Sequence, residues 1–139
     1  MRIVAGSAKG RVLIAPKSDD AIRPTADRVR ETVFNVLGQR CEGLTVLDLF
    51  AGTGALGLEA VSRGAVKAVL VDRAAEALAL CRQNSEALKF SNRVEIRRSG
   101  SVEAVAALGG EGRLFELVFS DPPYALAAGV AVLEALGQA

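Results

Sequence analysis

Four short apolar runs, VLDLF from Val46, AVLVD from Ala68, VEIR from Val94 and LFELVFSD from Leu114, are each followed by a stretch compatible with a helix. Runs that do not alternate with polar residues belong to strands covered on both faces, and strands that alternate with helices pair in parallel. Helices are expected near residues 55 to 63, 74 to 89, 101 to 108 and 126 to 137, with Gly64 placed to end the first. The fold class is therefore α/β, a doubly wound, mostly parallel sheet of Rossmann-like form whose ligands sit at the carboxyl ends of the strands. A chain of 139 residues, 50% of them hydrophobic, fills one such core and not two.

The segment before the first run differs. Arg2 to Ala5 and Arg11 to Ala15 flank the turn-prone Gly6-Ser7-Ala8-Lys9-Gly10 and predict a β-hairpin. After a polar loop through Asp19, Asp20 and Pro24, Thr25 is placed to cap a helix reaching about Gln39, with Val29, Val33, Phe34, Val36 and Leu37 at helical spacing. Residues 1 to 43 thus form a hairpin-and-helix appendage, expected to face RNA, on a core of residues 44 to 139. The net charge of +1 conceals an asymmetry: residues 1 to 40 carry about +4 and the remainder about −3. A basic arm suits phosphate partners, although it equally describes an ordinary solvated surface.

Composition also excludes chemistry. With no histidine, and with Cys41 and Cys81 far apart, the usual zinc sites and histidine-dependent nucleophiles cannot be assembled. No metal is expected, and both thiols are expected reduced and mostly buried. The sequence contains neither an uninterrupted apolar run of about 18 residues nor the apolar core of a signal peptide at its start, which predicts a soluble, cytoplasmic protein without membrane contact. Nothing in it calls for an obligate protein partner.

Two loops carry the chemistry. Val46-Leu-Asp-Leu-Phe-Ala-Gly-Thr-Gly-Ala-Leu-Gly57 ends a strand in a glycine-rich turn and opens a helix, where backbone can approach a ligand. Gly52, Gly54 and Gly57 satisfy GxGxxG, and Asp72 follows Gly52 by twenty residues, a pattern that dinucleotide-binding folds share. Asp48 argues against a dinucleotide: a carboxylate at the strand's end repels a pyrophosphate but attracts an ammonium group. S-adenosylmethionine carries an ammonium and no phosphate, and Asp72 can then accept bonds from its ribose hydroxyls. The fourth strand leads into Ser120-Asp-Pro-Pro-Tyr124, a turn that two prolines make rigid. Asp121 and the Pro122 carbonyl can accept the two N–H bonds of a base amino group, and Tyr124 can stack on an extruded base.

DLFAGTG followed by SDPPY resembles the paired motifs of the methyltransferases that modify exocyclic amino groups in nucleic acids. MRIVAGSAKGR, then RPTADRVRETVFNVL at positions 23 to 37, look like the opening of the RsmD family, which methylates a guanine N2 in small-subunit (16S) ribosomal RNA. The resemblance implies a class I methyltransferase fold with S-adenosylmethionine as cofactor and ribosomal RNA or the small ribosomal subunit as partner. It implies that Asp48, Phe50, Gly52, Thr53 and Gly54 surround the methionine end of the cofactor, with Asp72 at its ribose and Arg73 among the cofactor contacts. By the same resemblance Asp121, Pro122 and Tyr124 form the catalytic loop, and Arg23, Thr25, Arg28 and Arg30 line the approach of RNA or cofactor. Two features depart from the family. Ser99-Gly100-Ser101 stands where an acid commonly meets the adenine, leaving a serine hydroxyl, with Ser101 included among the cofactor contacts, as the acceptor. The chain also stops about one helix after DPPY, where relatives continue through further strands, so a truncated chain with an exposed fourth strand is expected.

A DNA adenine-N6 or cytosine-N4 methyltransferase shares both loops but not the RPTADRVRE segment. A truncated, non-catalytic remnant that binds cofactor or RNA is the non-enzymatic alternative. A nicotinamide-dependent oxidoreductase ranks last because of Asp48 and DPPY.

Overall fold

The computed structural model describes residues 1–15, 24–36, 38 and 40–120. Its elements are α1 (Pro24–Val36), β1 (Thr45–Asp48), α2 (Ala55–Ser62), β2 (Lys67–Asp72), α3 (Ala75–Ala87), β3 (Val94–Arg98), α4 (Ser101–Gly110) and β4 (Leu117–Phe119), with one 3-10 turn at Ser91–Arg93. The four strands form one parallel sheet in the order β3-β2-β1-β4. The chain leaves β1 toward β2 and β3 on one side and returns to place β4 on the other. Beside β1, at the carboxyl edge, that reversal opens the crevice where doubly wound sheets bind ligands.

Burial explains the unbroken apolar runs. Successive residues of β1 and β2 point to opposite faces, and both faces are covered. Val46 and Leu70 pack with Leu58, Phe34, Cys81 and Phe90 on one face, while Leu47, Val69 and Val71 pack with Ala104, Val105 and Leu108 of α4 on the other. Ile3, Ala8 and Leu13 belong to the first cluster, so the start of the chain is built into the core of the same body.

Several expectations are refined. The hairpin narrows to a single antiparallel bridge, Arg2 with Val12, flanked by backbone bonds from Ile3 N to Arg11 O and from Leu13 N to Met1 O, both 2.9 Å. The ladder goes no further because side chains of α2 and α3 take the neighbouring backbone groups. Glu59 accepts the Val4 and Ala5 amides at 2.9 and 3.1 Å, Ser62 Oγ accepts that of Ala8 at 2.9 Å, and Asn84 takes Ile14. The first helix opens at Pro24, so Thr25 lies inside it and is not its cap. Proline suits the first helical position, where its missing N–H has no partner to lose. That helix ends at Val36, short of Gln39, and β4 occupies only Leu117–Phe119 of the predicted run, leaving Leu114 86% exposed. Among the described residues β4 pairs on one side only. The helix expected near 126 to 137 lies outside the described residues.

Among the described residues no helix is long and apolar enough to cross a membrane, and no cluster of three or more His, Cys, Asp or Glu side chains is placed to hold a metal. Cys41 and Cys81 are both free and buried.

Candidate cofactor site

β1 and β2 end side by side, with Asp48 opposite Leu70 and Asp72 just beyond. The turn after β1 is laced to both neighbouring strands: Leu49 N bonds Phe119 O of β4 at 3.0 Å, and Ala51 N bonds Val71 O of β2 at 2.9 Å. Gly52 and Gly54 then take positive φ values of 58° and 86°, a conformation that side chains with a Cβ resist, and Gly54 N closes onto Ala51 O at 2.7 Å before α2 begins. Gly57 serves another purpose. A Cβ there would run into Leu70 Cδ2, so the third glycine sets how closely α2 lies on the sheet.

The carboxylates are placed by this turn. Asp48 is 2% exposed, and its Oδ2 accepts the Gly57 amide of the first turn of α2 at 3.2 Å. Asp72 accepts the Gly52 amide on Oδ2 at 2.9 Å and the Ala74 amide on Oδ1 at 3.0 Å, which ties the tip of β2 to the glycine turn. A carboxylate offers about four lone-pair sites, so these two bonds leave Asp72 with acceptor capacity. Phosphate-binding turns work by aiming unpaired amides and a helix N-terminus at an anion. Here the Gly52 and Gly54 amides are taken internally, and the chain's own carboxylate already sits on the first turn of α2. The donor set therefore fits a cationic or hydroxyl-bearing ligand better than a pyrophosphate. The position of a Cβ at Gly52 meets nothing within 4 Å, so the turn has an open side.

The remaining predicted contacts fall around this edge. Thr53 is 7% exposed, its hydroxyl 3.5 Å from the Met1 thioether. Phe50 is half-buried and packs on the opposite sheet face with the cluster of Leu47 and Leu49. Arg73 is exposed, and its carbonyl accepts Arg98 Nε at 3.2 Å. Ser99 N bonds Asp72 O at 3.0 Å, bringing the end of β3 to the same edge. The Ser99 hydroxyl donates to the Gly100 carbonyl at 2.9 Å, and half-buried Ser101 opens α4.

β4 delivers the chain to this edge as well, since Phe119 lies opposite Asp48 in the parallel register. Asp121, Pro122, Tyr124 and Arg23 lie outside the described residues. Thr25 and Arg28 stand in α1 by their backbone positions. Arg30 corrects an expectation. It is 3% exposed, its Nε is 3.1 Å from Glu59 Oε1, and its guanidinium also donates to the Arg2 carbonyl, so it is held in the interior and does not line an outer approach.

Side chains that the motifs did not single out complete the site. Cys81 Sγ donates to Gly52 O at 3.2 Å, and Asn84 Nδ2 donates to Thr53 O at 2.9 Å. Burial, reinforced by the negative charges of Asp48 and Asp72, pushes the Cys81 thiol up to about 12, which keeps it a protonated donor. The legible signal was their i, i+3 spacing on one helix face.

A family described as "Conserved hypothetical protein 95" matches the chain over residues 1–139. The chain is 42% identical over 126 residues to "Ribosomal RNA small subunit methyltransferase D" of Escherichia coli, covering 89% of this chain and 60% of the relative. It is 39% identical over 124 residues to "Putative rRNA methyltransferase YlbH" of Bacillus subtilis, covering 89% and 67%. Among solved structures, "Putative methyltransferase yhhF from Escherichia coli" superposes with a TM-score of 0.83 at 36% identity, covering 99% of this chain and 72% of that one. The chain thus spans about three fifths to two thirds of the length of these curated relatives.

Proposed function

We propose, from the premise that the chain belongs to the family described as conserved hypothetical protein 95, that it carries the catalytic core of an S-adenosylmethionine-dependent methyltransferase acting on the exocyclic N2 of a guanine in small-subunit ribosomal RNA. The names of its relatives support the ribosomal RNA substrate. The observation that carries the cofactor is the pairing of the Asp48 carboxylate with the first turn of α2, which turns a would-be phosphate cradle into an anion-rejecting one.

In this reading Asp48 and the open side of the glycine turn hold the aminoacyl end of the cofactor, and Asp72 holds the ribose hydroxyls. S-adenosylmethionine, when bound, supplies a methyl group made electrophilic by its sulfonium. Asp121 and the Pro122 carbonyl orient the guanine amino group, and Tyr124 stacks on the base. Asp121 would hold the amino nitrogen toward that methyl group and would take up the proton the nitrogen loses. Orientation and exclusion of water are the protein's contribution.

Calorimetry with S-adenosylmethionine and with NAD, beside methyl transfer from labelled cofactor to undermodified small subunits and mapping of the modified nucleoside, tests this reading. Asp121→Ala is expected to abolish transfer and spare cofactor binding, and Asp72→Ala to weaken binding itself. Tight NAD binding without S-adenosylmethionine binding, or label on a nucleoside other than N2-methylguanosine, overturns it.

A further inference from the structure

The outer side of the glycine turn is held by a single face of α3. Cys81 and Asn84 are 0% and 1% exposed and donate to two successive carbonyls of the turn, those of Gly52 and Thr53. The Asn84 carboxamide reaches further. Its Nδ2 also donates to the Ile14 carbonyl at 3.0 Å, and its Oδ1 accepts the Ile14 amide at 2.6 Å. A primary carboxamide has two N–H donors and one carbonyl acceptor, and here both donors are used. One pair of bonds completes the backbone of Ile14 as a neighbouring strand would. The second N–H fixes the turn. Aspartate has the shape but no donor, and leucine has neither donor nor acceptor.

We propose that Asn84 is a positioning residue that locks the glycine turn to the N-terminal segment, so that whatever orders the turn also orders the backbone around Ile14. The inference rests on the turn being the cofactor cradle, and it adds that the segment leading toward α1 is mechanically part of that cradle. The Met1 thioether beside the Thr53 hydroxyl provides a second contact between the same two segments. Because coupling between two sites is reciprocal, the free energy by which a ligand on the turn favours order at Leu13 and Ile14 equals that by which order there favours the ligand.

Amide hydrogen exchange in the ligand-free protein tests the lock, with Asn84→Asp as the variant. Exchange at Gly52, Gly54, Leu13 and Ile14 is expected to quicken by about ten-fold or more, while Val69 and Leu70 in β2 keep their protection. Ser85→Ala is the control, because Ser85 is 2% exposed and its hydroxyl donates along its own helix, to Cys81 O at 2.6 Å. It is expected to lower stability without opening the turn. Equal acceleration in both variants, in step with global stability, overturns the proposal. Should Asn84→Asp fail to fold, the wild-type protein decides. Saturating S-adenosylhomocysteine is expected to slow exchange at Leu13 and Ile14, and bound ligand that leaves both amides unchanged overturns the lock. Failure of the wild type to bind any S-adenosyl ligand sinks the cradle reading instead, and the ligand-free comparison still judges Asn84.

Discussion

Glu59 and Glu95 each gather cationic side chains, in two different solvents. The Glu59 carboxylate is 0% exposed and takes Arg30 Nε at 3.1 Å, Arg63 Nε at 2.9 Å and the amides of Val4 and Ala5. Glu95, near the amino end of the sheet, has a side chain 28% exposed and meets Arg97 at 2.6 Å, Arg113 at 2.9 Å and Lys67 at 3.4 Å. Arg97 and Arg113 also reach Glu111, which is 43% exposed. The buried carboxylate joins three separate pieces, namely the chain start, α1 and α2, where water cannot replace a lost partner. The surface cluster joins β2, β3 and the segment after α4, where water can. Contact number is similar in the two. Desolvation decides which of them the fold depends on.

The largest expected effect is therefore at Glu59. Glu59→Ala takes the carboxylate partner from two buried guanidinium groups and the acceptor from two backbone amides, and it is expected to cost about 3–5 kcal/mol in equilibrium denaturation. A loss below about 1 kcal/mol would place Glu59 on the same footing as a surface carboxylate and dissolve the contrast. A milder probe changes geometry at constant charge. The Arg63 guanidinium lies 4.5 Å over the Phe34 ring, and that ring is 5.6 Å from Phe119 at the end of β4. Arg63→Lys is expected to cost about 1–2 kcal/mol through the lost Nε bond and ring contact, whereas Arg97→Lys at the surface is expected to change stability by no more than about 0.5 kcal/mol. Equal costs at the two positions would show that burial does not set the ranking.

The two clusters differ in legibility for the same reason. Strand identity could be read because burial on both faces leaves no polar alternation in β1 and β2, and the strand-tip carboxylates could be read because Asp48 and Asp72 sit at fixed offsets from a glycine turn. Arg30 was read as surface because its partner is twenty-nine residues away, on another helix. The signal that pointed inward was Glu59, one acid in the small, apolar stretch ALGLEAVS, of which seven residues are buried. An acid there needs donors, and Arg63, one helical turn further on, could have been nominated, though Arg30 could not. Asn84 gave still less warning. Its partners are backbone groups thirty-one and seventy residues away, and backbone carries no sequence code. The start of α1 was misplaced by two residues, Ala26 in place of Pro24, because threonine's capping preference was weighed above proline's fitness for the first helical position.

A modest effect at Glu95 is the most diagnostic of mechanism, because that cluster titrates. Partial burial raises the Glu95 carboxyl, but hydrogen bonds from Arg97 and Arg113, the charge of Arg113 and a bond from Lys67 outweigh it and bring the group from its usual 4.5 down to about 2. A carboxyl lowered by folding stabilises the native state above its unfolded value, and that contribution fades as the pH falls from about 4.5 toward about 2. Compared with Glu95→Gln, the wild type is expected to be more stable by about 1 kcal/mol at neutral pH, by the same amount down to about pH 5, and by almost nothing near pH 2. Added salt is expected to shrink the neutral-pH difference, since the charges are partly exposed. Denaturation curves of the two proteins across that range measure the difference directly. A gap that survives unchanged to pH 2 would mean that Glu95 acts through packing, leaving desolvated Glu59 as the one cluster of the pair held by charge.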